Sequence, residues 1–186
     1  MTTPITRAAD KHLILAALHE ARPKISKEKK PKRVPVEKRR KKLDPDQWFS
    51  LCVRERANWK CECCGKDYAP TISDNTGLPG NPGLHCSHYI GRANYAVRFD
   101  PYNAVAHCYG CHAKFEGNPH NFMEWTFQRL GGWLYDVLIE KSNNLMLGKQ
   151  ARREKQEIAE HYKSEFARIR AEHLVGHKDV IIIGYL

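Results

Sequence analysis

Three histidines and one asparagine lie close together in the middle of the chain: His85, His88, Asn103 and His112. His88 lies in a segment typical of a strand, whereas His112 directly follows a Cys-x-x-Cys pair at the start of a predicted helix. A neutral imidazole can take a proton from water, and imidazoles can hold a divalent ion that polarises a phosphate. This combination predicts hydrolysis of phosphodiester bonds, with His88 as the general base and Asn103 holding the loop or orienting that base.

His112 and His85 are the predicted protein ligands of a catalytic ion. The residue before His88 is Ser87, a poor ligand, but His85 has the same strand parity as Ser87 and can face the same side. Glu116 follows His112 by one helical turn and is a candidate third ligand, direct or through water. Two imidazoles without a carboxylate suit Mn²⁺, Ni²⁺ or Zn²⁺ better than Mg²⁺. The predicted cofactor for catalysis is a divalent cation, either Mg²⁺ or Mn²⁺.

Two Cys pairs with a two-residue gap, one of them the pair before His112, predict a structural zinc site: Cys61 with Cys64, and Cys108 with Cys111. Each pair closes a knuckle, and four thiolates together give a closed tetrahedral Zn²⁺ site that does no chemistry. Cys63 lies inside the first pair, so Cys61 with Cys63 is an alternative. The matching two-residue gaps favour Cys61 with Cys64.

The elements that must position these residues are a short β-hairpin and a helix. Leu84 to Ile90 is predicted to be a strand, and Cys108 to Cys111 opens a helix that Gly117 closes. We expect an α+β fold: a small zinc-stabilised ββα core with flanking helices and a long C-terminal helix.

The flanking helices are predicted from their start and stop signals. Asp44-Pro45 starts one helix that reaches about Asn58, and Asn118-Pro119 starts another that Gly131-Gly132 stops. A further helix over 133–140 is followed by a long charged helix over 149–174, whose apolar stripe packs on the core. The apolar run 180–183 adds an edge strand or contacts a partner, and the sequence does not decide between the two.

The charge is concentrated near the N-terminus. The 186 residues carry a formal net charge of +10, and the segment 22–42 alone accounts for +10, with twelve Lys/Arg against two Glu. Such an arm screens and follows a phosphate backbone.

The chain is predicted to have three regions. Residues 1–43 form a helix (Lys11 to Ala21) and a flexible basic arm. Residues 44–148 form the catalytic domain, and residues 149–186 form the charged helix and terminal strand.

The cellular location is expected to be the cytoplasm. No apolar run approaches the roughly 18 residues of a membrane span, and the short N-terminal apolar stretch is flanked by charges, unlike a signal peptide. Thiols stay reduced in the cytosol, so the seven cysteines favour metal binding over disulfides.

His88, Asn103 and His112, with the cysteine pairs around them, resemble the zinc-bearing HNH, or ββα-metal, nucleases. The finer pattern is similar to the phage NinG (Rap) recombination nucleases over roughly residues 45–173, although relatives of this type tend to have Asp at position 85 and Asn at position 112. The motifs that carry this likeness are Ser87-His88-Tyr89, Arg98-Phe99-x₃-Asn103, the second Cys-x-x-Cys pair, Gly117-Asn118 and Arg129-Leu130-Gly131.

The resemblance implies a structure-selective endonuclease that cuts branched DNA, such as Holliday junctions and D-loops, in phage recombination within the host cell cytoplasm. Other recombination proteins are then candidate partners, and symmetric junction cleavage favours a homodimer. The predicted phosphate contacts read shape rather than sequence, and they are Arg92, Arg98, Lys114, Arg129, Lys38, Arg39, Arg40, Lys41 and Lys42.

Two alternatives remain open. The first is a zinc-stabilised module that binds DNA without cutting it, in which the three histidines are incidental. The second is an HNH nuclease of another role, a nicking or restriction-type enzyme that acts on duplex DNA.

Overall fold

The computed structural model describes residues 44–73 and 76–186. The predicted helix from Lys11 to Ala21 and the basic arm lie outside the described residues. The same holds for five predicted phosphate contacts: Lys38, Arg39, Arg40, Lys41 and Lys42. All described residues belong to one compact unit.

The described part of the chain is an α+β fold, as predicted, and it contains two small antiparallel sheets. No helix of this part is both long and apolar enough to cross a bilayer. In chain order the elements are α1 Pro45–Arg56, β1 Thr71–Ile72, β2 Pro79–Gly80, β3 Leu84–His88, β4 Ala104–Cys108, α2 Tyr109–Glu116, α3 Pro119–Ser142, α4 Leu145–Arg153 and α5 Lys155–Leu174.

Helices α1 and α3 begin where their capping residues predict. The Asp44 side chain accepts a hydrogen bond from Asp46 N at 3.0 Å, and the Asn118 side chain accepts one from Asn121 N at 3.2 Å. Each cap satisfies a donor that has no partner within its helix, and a proline follows it in the first turn. Helix α3 bends at Gly131, whose φ of 74° leaves the helical region. The predicted helix stop is therefore a kink.

Strands β3 and β4 form an antiparallel hairpin that leads directly into α2. His85 pairs with His107, and His88 pairs with Ala104, in a register of five residue pairs. Every residue of β4 is buried. Helix α2 starts immediately after β4, where the Cys108 side chain accepts a hydrogen bond from Cys111 N. The hairpin and α2 thus place β3 and the first turn of α2 side by side.

The main core lies between α1, α5 and the hairpin. The rings of Phe49 and Tyr162 have centroids 4.9 Å apart, and the Tyr162 hydroxyl donates to the Phe99 carbonyl. Burying each such side chain contributes about 2–3 kcal/mol. A second, aromatic cluster holds Phe115 of α2 and Phe122 of α3 in stacked contact at 4.8 Å.

The predicted long helix over 149–174 is wrong in one respect, because the chain forms two helices there. Helix α4 ends at Arg153 and α5 begins at Lys155, with Glu154 at φ −95° and ψ 29° between them. The predicted apolar stripe of α5 is buried as expected, and includes Ile158, Tyr162, Phe166 and Ile169.

The segment 180–183 packs on the core without forming a strand. Val180 and Ile182 are buried. Side chains of α5 satisfy its backbone: Glu165 accepts from Ile183 N at 2.7 Å, and His161 donates from Nε2 to Ile183 O, 2.9 Å away. The segment needs no sheet because α5 supplies its hydrogen bonds.

Candidate active site and cysteine cluster

The four predicted cysteines lie together, with Cys61, Cys64, Cys108 and Cys111 Sγ atoms all within 4.8 Å of one another. Cys64 Sγ and Cys108 Sγ are 3.8 Å apart. A tetrahedral ion with Zn–S bonds of about 2.3 Å places its sulfurs about 3.8 Å apart. The cluster can therefore hold a metal ion such as zinc.

The turn around Cys61 is shaped for two thiolates. Gly65 N donates to Cys61 O at 2.8 Å, and Gly65 has the positive φ of 73° that this turn requires. Cys108 N donates to Cys61 Sγ at 3.2 Å, a bond that favours a thiolate. Burial raises the pKa of Cys108, but hydrogen bonds from Cys111 N–H and neighbouring thiols outweigh it and lower this pKa to about 6. Cys63 is not part of the cluster and packs against the apolar core, so the favoured pair is confirmed.

The three histidines line one open cavity of about 610 Å³. Its walls come from α1, β3, α2 and the loop that follows β3. His85, His88 and His112 line it together with Glu116 and Arg92. Residues from separate parts of the sequence thus meet at one solvent-accessible surface, as the histidine pattern predicts.

His88 is held in one orientation by the main chain. Its Nε2 donates to the Arg98 carbonyl oxygen at 2.9 Å. Because a carbonyl can only accept, the neutral ring carries its proton on Nε2 and leaves Nδ1 free to accept one. Burial lowers the pKa of His88 to about 4. The ring is therefore neutral at pH 7, the form that a general base needs.

His85, His112 and Glu116 lie near one another in the same cavity. The His85 and His112 ring centroids are 5.1 Å apart, and His112 Nδ1 lies 3.6 Å from a Glu116 carboxylate oxygen. Among residues 44–73 and 76–186, only the four cysteines already form a tight ligand group of three or more. The two histidines and Glu116 would have to shift their side chains to close around an ion.

Asn103 is buried and does not line the cavity. Its Nδ2 donates to Ile90 O and to Val97 O, both at 2.9 Å, and its Oδ1 accepts from Ile90 N at 2.7 Å. These bonds close the loop between β3 and β4, which also carries the Arg98 carbonyl. Asn103 therefore positions the loop beneath His88, one of the two roles predicted for it.

Two of the predicted phosphate contacts have internal partners. The Arg98 guanidinium forms a two-bond ion pair with Asp46, at 2.6 and 2.9 Å. Arg129 lies 3.2 Å from Glu62, which also pairs with Arg56. Asp46 balances the charge of Arg98, whereas Arg129 shares the single carboxylate of Glu62 with Arg56. Contact of Arg98 and Arg129 with phosphate stays a prediction.

The other two, Arg92 and Lys114, are exposed. Neither lies within 4.0 Å of a carboxylate among the described residues. Neither side chain is engaged by a carboxylate in that part of the chain, and Arg92 lines the cavity of the three histidines.

Arg54 is a cavity residue that the sequence did not reveal. Its guanidinium donates to Ser50 Oγ at 2.7 Å and to Leu84 O at 3.3 Å, and burial lowers its pKa. It has no carboxylate partner in the described part of the chain. A half-buried cation without a counter-ion, facing a cavity with histidines, is suited to an anionic ligand. In the sequence it resembles any arginine of an amphipathic helix.

Comparison with known proteins gives no match. No protein-family description, curated protein or solved structure is significantly similar to this chain.

Proposed function

We propose that the chain is a metal-dependent DNA endonuclease with a ββα-metal core made of β3, β4 and α2. One observation carries the proposal. His88, neutral and with its tautomer set by the Arg98 carbonyl, shares a cavity with His85, His112 and Glu116. A base and a set of metal-ligating side chains at one surface are the groups that phosphodiester hydrolysis requires.

His88 would take the proton from the attacking water through Nδ1. Its Nε2–H stays on the Arg98 carbonyl, so the ring cannot turn away from the cavity without losing that bond. The ring of Phe49 packs beside His88, with ring centroids 5.9 Å apart and planes tilted by 39°. These contacts hold the base in place for proton transfer.

His85, His112 and Glu116 are the residues that would hold the catalytic ion. Their two imidazoles and one carboxylate fit Mn²⁺, Ni²⁺ or Zn²⁺ better than Mg²⁺. A divalent ion bound there would polarise the scissile phosphate and stabilise the leaving oxygen. The nearby cations Arg54 and Arg92 would bind the phosphate charge, Arg54 from the floor of the cavity and Arg92 from its rim.

The cysteine cluster would hold structural zinc. It ties the 61–64 turn to the start of α2, and His112 is the residue directly after Cys111. Zinc there would fix the position of His112 relative to β3, and it would add to the stability of a small core.

Branched DNA is the proposed substrate, by the resemblance to recombination nucleases. The cavity is open, and the cations around it would contact phosphates rather than base edges, which suits recognition of shape. Equal cleavage rates for a four-way junction, a flap and a linear duplex of one sequence would instead indicate an HNH nuclease that acts on duplex DNA.

The decisive experiment replaces His88 with alanine in the full chain. We expect cleavage of a four-way junction with Mn²⁺ to fall by about 10²- to 10⁴-fold, while junction binding stays within a few-fold. His120→Ala, at an exposed histidine on α3, is the matched control. Zinc content and the melting temperature confirm folding of both variants. Unchanged cleavage in His88→Ala would rule out His88 as the general base. A parent protein that bound the junction without cutting it would be better described as a zinc-stabilised DNA-binding module.

A further inference from the structure

A second basic surface lies around Tyr95, in the loop after β3. Three cations surround this ring: Arg98 Cζ at 4.8 Å, Arg152 Cζ at 4.8 Å and Lys155 Nζ at 5.2 Å from its centroid. Arg98 is neutralised by Asp46, but Arg152 and Lys155 are not. We call Tyr95, Lys149, Arg152 and Lys155 the Tyr95 surface.

The positive charge of this surface is not balanced locally. Lys149, Arg152, Arg153 and Lys155 are exposed, and none lies within 4.0 Å of a carboxylate among residues 44–73 and 76–186. The one carboxylate within this run, Glu154, instead accepts hydrogen bonds from Gln150 and Tyr185. Residues 44–186 carry 17 Lys/Arg and 17 Asp/Glu. The surface is therefore a local concentration of charge in a region with no net charge.

The surface is also concave and well supported. A cavity of about 440 Å³ separates the loop 93–96 from the start of α4, and Lys149 and Arg152 line it. Asn94 Nδ2 donates to Ser142 O at 2.8 Å, which fixes the loop to the end of α3. At Gly148 an added Cβ would lie 3.5 Å from Ala96 N, so α4 packs directly on the loop.

Arg98 connects this surface to the candidate active site, because its Nη1 donates to Arg92 O at 2.9 Å while its Cζ lies 4.8 Å from the Tyr95 ring centroid. Arg92 lines the cavity of His88, and Tyr95 follows it three residues later in the same loop. The backbone of a bound strand that passes Arg92 would next meet Arg152 and Lys155. Long-range attraction of phosphates by unpaired Lys and Arg is the sequence-independent part of DNA binding.

We propose that the Tyr95 surface binds the sugar–phosphate backbone of DNA next to the bond that the His88 cavity cuts. The proposal rests on the nuclease function and extends it, since it assigns the path of the substrate away from the cavity. The surface carries cations rather than base-reading amides, so it would bind any sequence. Tyr95 holds Arg152 and Lys155 in place beneath the strand.

Lysine footprinting tests this path directly in the full chain. The His88→Ala protein is acetylated with and without a four-way junction, and the modified lysines are measured by mass spectrometry. We expect DNA to protect Lys149 and Lys155 several-fold, and to leave the exposed Lys178 unchanged. Equal labelling of Lys149 and Lys155 with and without DNA would overturn the proposal.

A double variant gives an independent measure. Arg152→Gln with Lys155→Gln should weaken binding about tenfold and lower the slope of log Kd against log salt by about 1–2. The matched control, Arg170→Gln with Lys178→Gln, removes the same charge from other exposed sites and should change both quantities less. An effect equal to that of the control would count against the Tyr95 surface.

The outcomes separate this proposal from the nuclease function. Protection of Lys149 and Lys155 without cleavage of any substrate would support DNA binding at the Tyr95 surface and rule out the nuclease function. Cleavage that depends on His88, with no protection of these lysines, would support the nuclease function and rule out DNA binding at the Tyr95 surface. Protection by phosphatidylglycerol vesicles but not by DNA would identify a lipid-binding surface and overturn the proposal.

Discussion

The side-chain amide of Asn103 is paired with the backbone of Ile90 through two hydrogen bonds. Oδ1 accepts from Ile90 N at 2.7 Å, and Nδ2 donates to Ile90 O at 2.9 Å. A third bond joins Nδ2 to Val97 O. One buried side chain therefore closes the loop that carries Arg92, the Arg98 carbonyl and Tyr95.

Asn103→Ala is expected to destabilise the fold by about 3–5 kcal/mol, because three backbone groups, two of Ile90 and one of Val97, would lose their partners. Urea unfolding measures this free energy. The matched change Asn121→Ala, at an exposed position of α3, should cost less than about 0.5 kcal/mol. Equal costs for the two variants would show that the amide does not close the loop.

The stability of the protein should fall on acidification, in part through His107. This histidine is fully buried against Phe115, and neither ring nitrogen has a hydrogen-bond partner among the described residues. Burial lowers the pKa of His107 to about 4 from its ordinary value of 6.5. The unfolded chain therefore binds a proton at His107 between these two values, whereas the folded chain does not. His107 therefore takes nothing from the free energy of unfolding above pH 6.5, and it lowers this free energy as the pH falls towards 4.

In His107→Leu the decrease in the free energy of unfolding on acidification should be smaller by about 3 kcal/mol, because leucine has a similar volume and does not titrate. At pH 7 the variant should match the parent within about 1 kcal/mol. Chemical unfolding at several pH values between 4 and 7 gives the comparison, with His120→Leu as the exposed control. An unchanged pH profile in His107→Leu would mean that this ring is charged or hydrated in the folded protein.

The metal content should distinguish Cys64 from its neighbour Cys63. Cys64→Ser removes one of the four clustered sulfurs, so we expect loss of bound zinc and a large decrease in melting temperature. Cys63→Ser should keep one zinc ion per chain, because Cys63 lies outside the cluster. Native mass spectrometry reads the stoichiometry. Zinc loss in Cys63→Ser with zinc retained in Cys64→Ser would reverse the assignment.

His112→Ala should weaken binding of a second divalent ion by about 10- to 100-fold without releasing the zinc. The ion is followed as Mn²⁺ by titration calorimetry, and zinc is measured in the same sample. His120→Ala should bind Mn²⁺ like the parent protein. If His112→Ala did so too, His85 and Glu116 would not form a site with His112.

Local signals in the sequence were sufficient for the helix starts. Asp44-Pro45 and Asn118-Pro119 combine a capping side chain with a proline in the first turn, and both helices begin there. The break at Glu154 has no glycine or proline to mark it. The packing differs on its two sides: α4 contacts Ala96 through Gly148 and adds only Ala151 to the main core, whereas α5 adds Ile158, Tyr162, Phe166 and Ile169.

Long-range pairing explains what the sequence could not predict at the site. Arg98 and Arg129 have internal partners because Asp46 and Glu62, far away in the chain, come next to them only in the folded protein. Arg54 was missed for the converse reason, since nothing near it in the sequence shows that it faces the histidines. By contrast, His85, His88 and His112 share the cavity because a hairpin and its following helix bring nearby segments together.

The hydrogen bond from His88 goes to the main chain at position 98, not to a side chain. Any amino acid there would offer the same carbonyl oxygen. The protonation pattern of the base is thus encoded by the path of the backbone rather than by the type of amino acid at position 98. Alignments score amino-acid types, so they are blind to this contact. Distant proteins with the same chemistry would be found more readily from the course of the loop around the histidine.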